Sequence, residues 1–182
     1  MKNKIIITAI TASFLFINAA TVQDVYVCLP CGNSCDAITS NSPGTCTHCN
    51  MQMVKKATVV FDTVLPAQLY SHIKKAGSDN VILLDVRTPE EFNGTATEKF
   101  GKLKNAVNIP IQQLQQRLNE LEPYKQKEII VYCSHSHRSP QASYLLTQNG
   151  FAKVTNMQRG MYIWKMEVKD IESNELLYVS QE

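Results

Sequence analysis

The sequence predicts an α/β fold: a mainly parallel sheet with helices on both faces, preceded by a small cysteine-rich module. Three observations carry this. Short β-branched runs, Val81 to Val86 and Glu128 to Tyr132, alternate with segments of helical periodicity. Five of the six cysteines fall between Thr21 and Lys56, in a stretch with too little apolar periodicity to bury a core. The sixth, Cys133, stands where a strand ends and a short polar loop begins.

Residues 1–20 read as a secretory signal peptide. Lys2 and Lys4 precede an apolar run from Ile5 to Ile17, and Asn18-Ala19-Ala20 offers small residues for cleavage. That run is shorter than the ~20 residues of a membrane span and is interrupted by Thr8, Thr11 and Ser13. The expected location is therefore periplasmic or secreted, with no membrane association after cleavage. Residues 21–56 form the cysteine-rich module, 57–167 the α/β domain and 168–182 a C-terminal tail without an assignable role.

Within the α/β domain, Thr58 to Phe61 reads as a strand, Pro66 to Lys75 as a helix and Val81 to Val86 as a buried strand. Thr88-Pro89-Glu90-Glu91 forms a capping box, with threonine at the cap, proline in the first turn and glutamate three residues on. Ala106 to Ile109 is a strand, and Ile111, Leu114, Leu118 and Leu121 repeat at helical spacing. The Glu128 to Tyr132 strand leads through the loop into a helix with Ser139 as N-cap and Pro140 as its first residue, ending at Gly150 as C′. A strand at Val154 to Met157 and a short helix around Tyr162 to Lys165 complete the domain.

The chain of 182 residues is long enough for one full core and a small appendage, and 44% hydrophobic with 19% charged residues marks a globular protein. A net charge of +2, without an extended basic run, gives no reason to expect nucleic acid as a partner.

The loop Cys133-Ser134-His135-Ser136-His137-Arg138 joins a strand to a helix start, where unpaired N–H groups and the positive helix end stabilise an anion. A cysteine there is expected to be an ionised, accessible nucleophile nested among loop amides. Arg138 closes the loop, and a cation at a helix start needs an anion beside it. Asp85 and Arg87 end their strand as Cys133 ends its own, so all three are expected along one edge of the sheet. Arg87 there would attract an anionic substrate while Asp85 orients an arginine or the loop; the alternative is a structural ion pair. His135 and His137 are loop histidines that sense pH, assist proton transfer or simply face solvent.

The stretch from Val81 to Trp164 resembles a single rhodanese domain. The resemblance rests on Leu84-Asp85-Val86-Arg87-Thr88-Pro89-Glu90-Glu91-Phe92, Lys104-Asn105-Ala106-Val107-Asn108-Ile109-Pro110, the loop, Gly150-Phe151 and Gly160-Met161-Tyr162-Ile163-Trp164. It implies that Cys133 accepts a sulfane sulfur as a persulfide and passes it to a second nucleophile. A small-molecule sulfur donor such as thiosulfate and a thiol or cyanide acceptor follow, with no organic cofactor. Cys133 and Arg138 would be catalytic, and Ser134, His135, Ser136, His137, Ser139, Arg87 and Asp85 would line the substrate site. Ser136 stands where the family usually has glycine, so a positive φ there would strain a serine. Phosphatases of the same fold carry a loop one residue longer, and the shorter Cys133-x4-Arg138 spacing favours sulfur transfer.

Cys28-x2-Cys31 and Cys46-x2-Cys49 form two knuckle-like pairs, whose four thiolates suit tetrahedral zinc in a zinc-ribbon-like module, with Cys35 as alternate ligand or spare thiol. The segment also resembles a small heavy-metal-binding domain, through Tyr26-Val27-Cys28, Pro43-Gly44-Thr45-Cys46 and Cys49-Asn50-Met51. Disulfides are the rival in an oxidising compartment. The alternative to an enzyme is a metal-binding or partner-binding protein whose slow or inactive rhodanese fold carries or senses sulfur.

Overall fold

The computed structural model describes residues 23–181, so the expected signal peptide lies outside the described residues. Strand β1 (Tyr26–Val27) pairs antiparallel with both β2 (Thr39–Ser40) and β3 (Val54–Lys55) in a small sheet that carries the cysteine-rich module. The main domain follows with β4 (Asp62–Val64), α1 (Leu69–Ala76), β5 (Val81–Asp85), α2 (Pro89–Asn93), β6 (Lys102–Leu103), β7 (Val107–Asn108) and α3 (Ile111–Leu114). It continues through β8 (Glu128–Tyr132), α4 (Arg138–Gln148), β9 (Val154–Met157), α5 (Trp164–Glu167), α6 (Ile171–Leu177) and β10 (Tyr178–Val179).

Five of these strands form one parallel sheet in the order β4-β9-β8-β5-β7. The predicted α/β architecture is present, and β8 shows why both faces must be covered. Side chains alternate across a strand. Ile129, Val131 and Cys133 accordingly join the core that contains Ala142 and Leu146 of α4, while Ile130 and Tyr132 join the core that contains Leu69, Ile73 and Trp164. All five residues from Ile129 to Cys133 are buried.

Several elements differ from expectation for identifiable reasons. The first strand lies at Asp62–Val64 rather than Thr58 to Phe61, because its register is set by pairing Asp62 with Thr155 of β9. Beyond Ile111 the helix breaks after one turn, and Leu118–Tyr124 is a 3-10 segment containing Pro123, which cannot donate to a continuing α-helix. Leu114 and Leu121 still reach the core. The capping box forms in full: Glu91 N–H donates to Thr88 Oγ1 at 3.3 Å, and Thr88 N–H donates to Glu91 Oε2 at 3.0 Å. Helix α4 begins at Arg138 with His137 at the cap, so Ser139 and Pro140 lie in its first turn.

The C-terminal segment is an integral part of the fold. Asp170 caps α6 by accepting from Ser173 N–H at 2.8 Å, and β10 pairs antiparallel with β6. Trp164 Nε1 donates to Asn174 Oδ1 at 2.8 Å, and the Trp164 ring stacks on Tyr178 with centroids 5.8 Å apart. Among the described residues no helix is long and apolar enough to cross a membrane.

Candidate active site

Cys133 follows the carboxyl end of β8, a central strand of the sheet, and α4 begins five residues later at Arg138. The connecting loop is pinned from beneath. Met161 N–H donates to Cys133 O and Tyr162 N–H to Ser134 O, each at 3.0 Å. Gly160 makes this close approach possible: its φ is 75°, and a Cβ there would lie 2.2 Å from Ser134 O.

Cys133 is 1% exposed. Its Sγ donates to Ser139 Oγ at 3.5 Å, and among the described residues no backbone N–H is hydrogen-bonded to it. This corrects the expectation of an open sulfur nested among amides. The cause is strand alternation, which carries Cys133 onto the same face as Ile129 and Val131. Ser139 is likewise buried, and its hydroxyl meets the thiol rather than capping the helix.

Ser136 adopts φ 56°, so the loop's fourth position does demand the left-handed conformation. Its hydroxyl is also buried, without a hydrogen-bond partner among the described residues. His135 is sandwiched, stacked on Tyr162 at 4.7 Å and edge-on to Phe100 at 5.2 Å, whereas His137 is exposed.

Arg138 has the anion that a cation at a helix start requires. Its guanidinium makes two hydrogen bonds to Glu91, at 2.6 and 2.7 Å, and a third to Ser134 Oγ at 2.8 Å. The Arg138 hydrogen bonds, and then the Thr88 N–H, hold the Glu91 carboxyl down at about 2. Sequence reasoning saw Glu91 only as half of a capping box. Its second role depends on a residue 47 positions away, which no local pattern reveals.

Asp85 and Arg87 pair with one another. Arg87 Nε lies 3.0 Å from both Asp85 oxygens, and Nη2 donates to Asp85 Oδ2 at 2.6 Å and to Gly101 O at 2.9 Å. Both residues are buried. Arg87 therefore faces inward as a structural ion pair and does not present a cation to an incoming anion.

The module's thiols converge. Cys28, Cys35 and Cys49 offer Sγ atoms all within 4.8 Å of one another, with Cys28 and Cys49 3.4 Å apart. Cys46 lies beside Cys28 and Cys49, and its thiol is held below the usual range by the Cys49 N–H, opposed by burial. Cys35 belongs both to the group with Cys28 and Cys49 and to a second one with Cys31 and Asp36. Cys31 sits to one side, with Sγ 3.3 Å from Cys35 Sγ and 3.3 Å from Asp36 Oδ1, and burial together with the Cys35 thiol pushes it up to about 12. Burial, then the neighbouring thiols, also raises Cys28. Burial and crowding of thiols at Cys28 and Cys31 are costs that a thiophilic cation would relieve.

The module docks against the loop's side of the sheet. Arg159 N–H donates to Cys31 O at 3.0 Å and Asn156 Nδ2 to Pro30 O at 2.9 Å. Between the two lies a cleft of about 300 Å³, lined by Asn33, Ser34, Cys35, His48 and Cys49 on the module and by His135, His137 and Tyr162 on the domain. A larger cavity of about 750 Å³ sits at the opposite end of β5, beside α1 and α6, and no residue of the Cys133 loop lines it.

Comparison with known proteins agrees with this architecture. The rhodanese-like domain family matches residues 65–167. The uncharacterised protein YqhL of Bacillus subtilis is 34% identical over 113 residues, covering 62% of this chain and 83% of that one. A sulfurtransferase of Allochromatium vinosum is 30% identical over 89 residues, covering 49% and 76% respectively. Among solved structures, reduced CoADR-RHD of Bacillus anthracis superposes with a TM-score of 0.50 at 27% identity, over 66% of this chain and 18% of that longer one.

Proposed function

Because the chain belongs to the rhodanese-like domain family, we propose that it is a sulfurtransferase in which Cys133 carries the sulfur. The observation behind this reading is the position of Cys133 at the carboxyl end of β8, in a loop closed by Arg138 and anchored through Glu91 and Ser134.

The Cys133 thiolate attacks the sulfane sulfur of an anionic donor such as thiosulfate. A bond forms between Sγ and that sulfur, the donor's sulfur–sulfur bond breaks, and sulfite departs with the electron pair. An acceptor thiol or cyanide then takes the outer sulfur and returns Cys133 as thiolate. Arg138 supplies positive charge at the loop, moderated by Glu91. With Cys133 buried, the donor reaches its Sγ by outward displacement of loop side chains, of which His137 is already exposed.

The test is thiosulfate-to-cyanide sulfur transfer by the wild type and by Cys133→Ser, with intact mass after thiosulfate treatment. Gain of one sulfur atom in the wild type and none in the variant is the expected result. Unmodified mass and no turnover with several donors would favour the second reading, a metal-binding or partner-binding protein with a slow rhodanese fold. The burial of Cys133 and the strained Ser136 are what support that alternative.

The module's donor set fits a thiophilic cation, zinc in this reading, held by Cys28, Cys35, Cys46 and Cys49 with Cys31 adjacent. Such an ion would cross-link a segment whose own core consists largely of cysteines. Export to the periplasm or beyond completes the proposal and rests on the residue 1–20 pattern alone.

A further inference from the structure

The thiol cluster and the Cys133 loop form the two walls of a single cleft. Cys35 and Cys49 face it from one side, and His135 and His137, two and four residues after Cys133, from the other. Cys49 is also the one cysteine of the module that is not buried. The walls are fixed relative to one another by hydrogen bonds from Arg159 and Asn156, and by Gly32, where a Cβ would lie 2.9 Å from Arg159 Cγ.

These observations bear on where sulfur goes next. Cys133 is buried, and two histidines of its loop, His135 and His137, line the same cleft as Cys35 and Cys49. A thiol tethered in that cleft has a large advantage over a dilute thiol in solution, because its encounter with the loop is intramolecular.

We propose that Cys49 is an intramolecular sulfur acceptor, so that the cysteine module relays sulfur leaving Cys133. The inference rests on the sulfurtransferase reading above. In the step, Cys49 thiolate attacks the outer sulfur of the Cys133 persulfide. A sulfur–sulfur bond forms at Cys49, the bond between that sulfur and Cys133 Sγ breaks, and Cys133 leaves as thiolate with the electron pair. One persulfide and one thiol become one thiol and one persulfide, so no outside oxidant or reductant enters. A cation on the same thiols and sulfur on Cys49 exclude one another.

The test follows sulfur through the reduced full-length chain, as purified and after chelator treatment. One equivalent of thiosulfate is added, the reaction is quenched by alkylation at intervals, and the peptides containing Cys133 and Cys49 are mapped by mass. The added sulfur is expected first on Cys133 and later on Cys49 in at least one of the two preparations. In Cys49→Ser it should stay on Cys133 about tenfold longer, the loss expected when an intramolecular partner is removed. Cys133→Ser should carry no label at either position. Label that remains on Cys133 of the wild type in both preparations, until an external thiol removes it, overturns the relay and leaves the sulfurtransferase reading standing. Label on Cys49 in Cys133→Ser also overturns the relay, because sulfur then arrives directly. Absence of label on wild-type Cys133 at all times counts against the sulfurtransferase reading itself.

Discussion

Ser136 bears two unfavourable features at once: a left-handed backbone and a buried hydroxyl with no partner among the described residues. Each is of order 1 kcal/mol for an L-residue, offset by glycine's larger entropy when unfolded. Ser136→Gly is therefore expected to stabilise the protein by about 1 kcal/mol, raising Tm by ~2–4 °C in a thermal melt. An unchanged or lower Tm would show that the serine hydroxyl has a stabilising role. Glu91 is the second decisive residue. Its folded-state value of about 2 lies below the ordinary 4.5, so its ion pair contributes stability above about 4.5 that is lost as pH falls toward 2. Glu91→Gln should accordingly be less stable than wild type at neutral pH, with the difference closing through that window in acid denaturation. The same variant leaves Arg138 without its counter-charge, and a several-fold lower KM for thiosulfate is expected in steady-state assays.

At the scale of elements, the loop is held by its neighbours as much as by its own sequence. Gly160 lets the segment after β9 lie directly against Ser134 O, so Gly160→Ala forces a backbone shift beneath Cys133. A loss of about 2–3 kcal/mol in chemical denaturation is expected, with sulfur transfer falling as well. The C-terminal α6 and β10 hold Trp164 through Asn174 and Tyr178, and Gln181 Nε2 donates to Glu91 O and Phe92 O. Truncation after Glu167 should therefore lower Tm and expose Trp164, seen as a red shift of its fluorescence. That role escaped the sequence because α6 is short and its partners lie in α2, β6 and α5, far away in the chain.

For the whole molecule, the cysteine module and the domain depend on different forces. The domain has two apolar cores, one on each face of its sheet, whereas the module's core is Cys28, Cys31, Cys35, Cys46 and Met53. Chelation is expected to raise tryptic cleavage at Lys55 and Lys56 while leaving the domain's melting transition in place; equal protection with and without chelator would argue against a cation. The fold was legible because β-branched runs and helical spacing report local preference directly: β5, β8 and β9 lie within a residue of their predicted positions, and α1 starts three residues later than predicted, after a 3-10 turn at Pro66–Gln68. Cys133 and Arg138 were legible as a strand–loop–helix pattern. The module's thiol grouping was less so, because Cys-x2-Cys spacing names candidate ligands without saying which sulfurs meet, and Cys35 lies in both candidate groups, with Cys28 and Cys49 and with Cys31 and Asp36.

By itself the sequence determined the layered α/β fold and the capping box at Thr88, since both follow from local side-chain patterns; the family resemblance marked Ser136 as a place where glycine is usual, and the structure supplied its positive φ. Only the tertiary structure decided that Cys133 is enclosed, that Glu91 neutralises Arg138, that Arg87 turns inward to Asp85 and that Cys49 faces the loop across a cleft. Those outcomes depend on which distant surfaces pack together, and packing is settled by the burial of the whole chain rather than by any local stretch of it.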